Sequence, residues 1–234
     1  MKRFHAMTFS PIFLQKSKKI VSYPDALQHM QEYTQKIYEK KQPEYLWFLE
    51  HSPLYTAGNS AKEHDLINPQ HYPTFYTNRG GQWTYHGPGQ RVIYIMMDLR
   101  EDHQAFPPRD IHAFVNAIED WISLSLKQFN IQAEKRKDRI GLWVIDPITN
   151  KEEKIAALGI KLSRWISCHG IALNVLPNLE DYSGIIPCGL PEYGVSSMHK
   201  LGVHCSLDEV DQVLCQQWQK IFPHPLIKKQ IFID

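Results

Sequence analysis

The sequence predicts an α/β (α+β) domain, a mixed β-sheet flanked by helices. Three observations point there. Continuous apolar runs at 45–49, 92–97 and 171–175 suit strands buried on both faces. Apolar residues at helical spacing mark stripes over 27–38, 111–129 and 210–221. Strand and helix signals alternate irregularly, with neighbouring strand pairs, which favours a mixed sheet over a doubly wound one.

Taken in order, Ser22-Tyr-Pro-Asp25 reads as a helix start: a capping serine, an early proline and an acid. Leu27, Met30, Tyr33, Ile37 and Tyr38 follow as its stripe, and Pro43 closes it. The run 45–49 is the first buried strand, and 51–58 reads as a loop rich in turn residues. Residues 75–77 form a short β-prone run. Pro107-Pro-Arg-Asp110 caps the longest helix, with Ile111, Phe114, Val115, Ile118, Trp121, Ile122, Ser125 and Phe129 facing the core. Strands at 141–145 and 154–160 are joined by the polar turn 146–150. Asn174 is polar inside an apolar strand and needs a hydrogen-bond partner. Ser206-Leu-Asp-Glu209 is a capping box opening the last helix, which Pro223 and Pro225 end.

The chain has 234 residues and a net charge of +1, so no strong field points to nucleic acid or to a membrane surface. No stretch approaches the roughly 18 apolar residues of a membrane span. The first residues carry no apolar signal core, and a cytoplasmic location is the expectation. No internal repeat or flexible linker is seen, and a single domain over 1–234 is expected. Cys168, Cys188, Cys205 and Cys215 form no Cys-x-x-Cys pair, so neither a zinc ribbon nor a disulfide framework is indicated. Cys168-His169 and His204-Cys205, with His86 or His199, supply zinc-type ligands. Their adjacency is wrong for ligands usually spaced by two or more residues, and no metal is expected.

Four stretches carry chemistry. Residues 79–90 hold four glycines and a proline around Arg79, Gln82, Trp83, Thr84, Tyr85 and His86. Glycines let a ligand approach the main chain, and the same composition fits a hairpin with a bulged end. Lys154 opens an apolar strand, and a turn at His169-Gly170 opens the next. Cys188 sits between Pro187 and Gly189, in a loop whose backbone is set by neither packing nor periodicity. A thiolate is the nucleophilic form of cysteine, and a nearby ammonium favours it. Taken alone, such a cysteine is more often a small buried hydrophobe than a nucleophile, and such a lysine more often a solvated charge.

The four motifs 79–90, 154–159, 169–174 and 187–189, in this order, resemble those of the octanoyl-acyl-carrier-protein:protein N-octanoyltransferases of lipoate biosynthesis. The resemblance runs from about residue 50 to 197, where the acyl-binding and catalytic core is expected, and the spacing of Lys154 from Cys188 is the family's too. It implies a fold like the catalytic domain of biotin and lipoate protein ligases. It implies that Cys188 carries the acyl group as a thioester and that Lys154 is its acid–base partner. Arg79, Gly80, Gly81, Gln82, Trp83, Thr84, Tyr85 and His86 would line the acyl pocket, with Ala157, Leu158 and Gly159, and Gly170, Ile171 and Ala172. The acyl donor would be an acyl-carrier protein bearing its phosphopantetheine arm. The acceptors would be lipoyl domains of 2-oxoacid dehydrogenase E2 subunits and the glycine cleavage H protein. No ATP or other cofactor is expected, because thioester to amide runs downhill. Arg79, Arg91 and Lys161 are expected near the mouth, facing acidic partners. Trp83 stands where the family usually has a small side chain and is expected to reshape the pocket. Leu142 replaces a common valine. An ATP-dependent ligase of the same fold would not need Cys188, and a non-catalytic binding module would need neither Cys188 nor Lys154.

Overall fold

The computed structural model describes residues 9–186 and 193–229. Its frame is a mixed sheet, and the order of strands follows from burial. β2 (Tyr45–Leu49) and β6 (Gln90–Met96) are buried along their whole length and lie together near the middle of the sheet. Leu46, Phe48, Ile93 and Ile95 face one side, and Tyr45, Trp47, Val92 and Tyr94 the other. Outward on one side come β1 (Ile12–Lys16) and β12 (Leu226–Lys228), both parallel to β2. On the other side β10 (Ile166–Asn174), β9 (Glu152–Ser163), β8 (Leu142–Ile145) and β7 (Glu134–Lys135) continue antiparallel. β11 (Gly194–Val195) lies parallel to the start of β9.

Helix α1 (Tyr23–Tyr38) covers one face, burying Ala26, Met30, Tyr33 and Ile37. Helices α2 (Ile111–Lys127) and α3 (Leu207–Ile221) pack together on the other, with Phe114, Ile118, Trp121, Leu214 and Trp218 in one core. The capping box of α3 is formed, and Asp110 caps α2 by accepting from the Ala113 N–H at 2.9 Å. Ser22 stands at the N-cap of α1 but makes no side-chain cap bond. That helix ends well before Pro43: Lys40, at φ 58°, turns the chain first. Phe129 lies beyond the end of α2.

A second sheet holds β3 (Leu54–Ala57) between β4 (Thr74–Tyr76) and β5 (Thr84–His86). From sequence, 51–58 reads as a loop. Residues 54–57 are instead a buried strand, paired with β5 through Tyr55–Tyr85. Residues 79–90 are no hairpin either, because β5 and β6 belong to different sheets. The turn expected at His169-Gly170 is displaced too. Arg164 and Trp165, at φ 52° and 66°, make the two-residue turn of the β9–β10 hairpin, while His169 sits inside β10.

Asn174 finds its partners. Its Nδ2 donates to Ser196 O at 3.0 Å, and its Oδ1 accepts from Gln90 Nε2 at 3.0 Å and Tyr182 Oη at 2.9 Å. Among the described residues no helix is long and apolar enough to cross a membrane, and no cluster of three or more His, Cys, Asp or Glu could hold a metal.

Candidate active site

A cavity of about 610 Å³ opens where the outer edge of β9 loses its neighbour. β8 pairs with β9 only up to Ala156, and from Ala157 onward the edge is met by the glycine-rich segment, whose Gly80 N–H donates to Ile160 O at 3.0 Å. The floor is paved with small residues in register. Ala157 lies opposite Ala172 and Gly159 opposite Gly170, next to Val92 and Tyr94 of β6. All six line the cavity. Where neighbouring strands carry small side chains at matched positions, the space a packed core would fill stays empty. Gly159 is required by closeness: a Cβ there would lie 2.9 Å from Gly80 O and 3.1 Å from Arg79 Cδ.

Arg79 holds the covering segment down. Its Nη2 donates to Thr56 O at 2.7 Å, Thr56 Oγ1 at 2.8 Å and Gln82 O at 2.9 Å, and its Nη1 to Gly80 O at 2.9 Å. The expectation that Arg79 and Arg91 face acidic partners is therefore overturned. Arg79 is 7% exposed, and Arg91, at 5%, pairs with Asp211 on α3 at 2.9 Å. Both cations are spent on internal acceptors. Lys161 is half-buried on β9, opposite Cys168.

Of the residues predicted for the acyl pocket, Arg79, Gly80, Gly81, Gln82, Trp83, Thr84 and His86 line the cavity, as do Ala157, Leu158, Gly159, Gly170, Ile171 and Ala172. Tyr85 does not. Side chains alternate along β5, so Tyr85 turns away from its two neighbours and donates to Asp181 Oδ2 at 2.8 Å. Trp83 contributes to the wall without projecting into it. Only 1% of it is accessible, its Nε1 donates to Lys62 O at 2.8 Å, and its ring meets Tyr76 edge-on.

Lys154 also lines the cavity. Strict alternation would put it on the opposite face from Ala157 and Gly159. The register between β8 and β9 shifts by one residue here, and Ile155 and Ala156 both join the α2–α3 core. This bulge brings Lys154 round to the cavity side. Its Nζ donates to Ile140 O at 2.9 Å and lies 4.6 Å from the centre of the Trp143 ring. The Arg139 guanidinium stacks on the same ring at 4.6 Å, and also pairs with Glu152 and Tyr193. Cys188 lies outside the described residues. Before it, the Ile186 N–H donates to Asp65 O at 2.8 Å, and after it, Val195 pairs with Lys154 in register.

The wall also holds Tyr23, Val92, Tyr94 and His169, none of them among the residues expected to line the acyl pocket. Burial pushes His169 and His86 down to about 3 and His51 to about 4, so all three rings are neutral at pH 7. His51 Nε2 is 2.7 Å from Tyr94 Oη, and His86 Nδ1 is 2.8 Å from Gln90 Oε1. The histidines were visible as residues, but nothing in the sequence spacing groups them.

The cavity is walled largely by small and apolar side chains, with the buried Lys154 among them. The chain belongs to the family described as Lipoyl protein ligase A/B catalytic domain, which matches residues 22–219. An octanoyltransferase from Gluconacetobacter diazotrophicus is 50% identical over 217 residues, covering 93% of this chain and 94% of its own length. One from Bartonella quintana is 45% identical over 219 residues, covering 91% and 87%. Among solved structures, a bipartite lipoate protein ligase from Thermoplasma acidophilum matches with a TM-score of 0.68 at 16% identity, over 97% of this chain and 89% of that one, and so shares the fold. With such relatives over nearly its whole length, the chain is an acyltransferase.

Proposed function

We propose that this enzyme moves an octanoyl group from the phosphopantetheine thioester of an acyl-carrier protein to the ε-amine of a lysine on a lipoyl domain, in the cytoplasm and through a thioester on Cys188. The observation that supports it best is the floor of small residues leading from Lys154 to Gly159 and Gly170. At about 3.3 Å per residue this strand segment spans roughly 17 Å, room for an eight-carbon chain with its carbonyl at the Lys154 end. The octanoyltransferase relatives support the same chain.

In the first step Cys188 Sγ, having given its proton to Lys154, attacks the acyl carbonyl. The bond to the pantetheine sulfur breaks, and Lys154 returns the proton to the departing thiolate. Backbone amides beside Cys188 are the proposed donors to the oxyanion. In the second step the acceptor lysine amine attacks the acyl-enzyme. Its proton passes through Lys154 to Cys188 Sγ as the C–S bond breaks, leaving an amide and a free thiol. One thioester replaces another and then becomes an amide, so no ATP enters. E2 lipoyl domains and the glycine cleavage H protein are the proposed acceptors. The test is octanoyl transfer from octanoyl-acyl-carrier protein to a purified lipoyl domain, with and without ATP. Transfer at the same rate in both is expected. Transfer of free octanoate that requires ATP would make the chain a ligase.

A further inference from the structure

A peptide carbonyl accepts from the Lys154 ammonium, and that peptide is held in turn by a carboxylate from the helix layer. We infer that Glu119, on α2, is a positioning residue for Lys154, acting through the peptide that joins Ile140 to Gly141. The inference rests on the proton-transfer role proposed for Lys154.

The two polar ends of that peptide point opposite ways. Its N–H, on Gly141, donates to Glu119 Oε1 at 2.8 Å, and its C=O, on Ile140, accepts from Lys154 Nζ at 2.9 Å. A peptide unit is planar and stiff, so fixing the direction of the N–H fixes that of the C=O. Bonds in such a chain polarise one another: a negative charge at the N–H end makes the carbonyl a better acceptor for an ammonium. The backbone is shaped for this arrangement. Gly141 has φ 116°, and a Cβ there would lie 2.6 Å from Ala156 O and 3.3 Å from Lys154 Cε. The Trp143 ring bounds the ammonium on a further side, and Arg139 braces that ring.

Glu119 is costly where it stands. It is 6% exposed, on the buried face of a helix whose other core residues are Phe114, Ile118, Trp121 and Ile122. Satisfying one backbone N–H needs only a neutral acceptor, and a buried carboxylate is a large desolvation cost for that task alone. Burial raises its pKa, opposed by the Gly141 N–H and by Lys135 and Lys154. The charged groups facing it are those two lysines and Asp120. Lys135 and Asp120 pair with each other at 2.6 Å, which leaves Lys154 as the charge that the relay addresses. Arg139, which shares the Trp143 ring with Lys154, is held by Glu152.

The experiment measures octanoyl transfer to a lipoyl domain by the full chain between about pH 6 and 9. It compares wild type, Glu119→Gln, Glu119→Leu and Lys154→Ala. Glu119→Gln keeps an acceptor for Gly141 but removes the charge. Its kcat should stay close to wild type while the pH profile moves to lower pH, because Lys154 gives up its proton more readily. Glu119→Leu removes the acceptor as well, and kcat should fall about 10- to 100-fold, the scale on which outer partners of metal ligands act. KM for the acyl donor should hold in both. A Glu119→Gln profile that overlays wild type overturns the inference, whether or not Glu119→Leu folds; so does a Glu119→Leu enzyme with wild-type kcat. Full transfer by Lys154→Ala would instead bring down the reading of Lys154 itself. Inactive Lys154→Ala beside wild-type-like Glu119 variants removes the role of Glu119 alone.

Discussion

The two ends of the cavity treat charge in opposite ways. At one end Lys154 shares the Trp143 ring with Arg139 and is linked through a peptide to Glu119, so that charges of both signs are brought together. At the other, Tyr23, Tyr94, His86 and His169 form a wall in which burial keeps the imidazoles neutral. The charged neighbours of His169 are the cations Arg79 and Lys161, which oppose protonation further. The first end suits the proton transfer proposed for Lys154, and the second, whose rings carry no charge, suits the proposed hydrocarbon tail.

The comparison breaks most easily at Lys154. Lys154→Arg keeps a cation beside Trp143 but cannot act as a base at neutral pH. Transfer should drop by about 10²- to 10⁴-fold, the usual worth of general acid–base catalysis, while the preference for octanoyl over butanoyl donors stays as in wild type. Near-wild-type transfer would mean that charge alone matters there.

Gly159→Val acts on the channel and leaves the lysine alone. Its Cβ would press on Gly80 O and Arg79, lifting the covering segment or filling the floor. The octanoyl-to-butanoyl rate ratio should fall at least about tenfold, since each methylene excluded from an apolar pocket is worth about 1–3 kcal/mol. An unchanged ratio would place the acyl chain elsewhere.

Much of the fold was legible. Residues 45–49 are apolar because both faces are covered, and the capping box at Ser206 gave the start of α3 to the residue. What escaped depends on distant partners. β1 and β12 pair segments far apart in the chain, and polar Gln15 and Lys16 cut the apolar run of β1 short. Residues 54–57 read as a loop because their partners lie in a sheet that no local pattern reveals. The site divides the same way. The small residues at 157, 159, 170 and 172 were visible, and the hairpin register turns them into one floor. The bulge at Ile155, which decides the side Lys154 faces, has no signal in the sequence. Arg79 and Arg91 were misplaced because a cation in a sequence looks solvent-facing until its acceptor, Thr56 or Asp211, is seen beside it.

The histidine wall makes a smaller prediction. His51 falls to about 4, and His86 and His169 to about 3, against an ordinary value of about 6.5. The unfolded chain therefore takes up protons first as the pH drops. Stability from the neutral rings is complete above about pH 6.5 and is lost progressively toward pH 4 and below. Thermal unfolding should shift to lower temperature between pH 7 and 5. His169→Asn, which tolerates the φ of 63° at that position, should lessen the loss by about 1 kcal/mol at pH 5.5. An acid slope untouched by that replacement would mean His169 already carries a proton when folded.

The most direct test of the whole account is the intact mass of the protein after brief exposure to octanoyl-acyl-carrier protein with no acceptor present. Wild type should gain the mass of one octanoyl group, released by neutral hydroxylamine, and Cys188→Ala should gain nothing. An adduct that persists in Cys188→Ala would contradict the proposed thioester, as would transfer to a lipoyl domain at full rate by that variant.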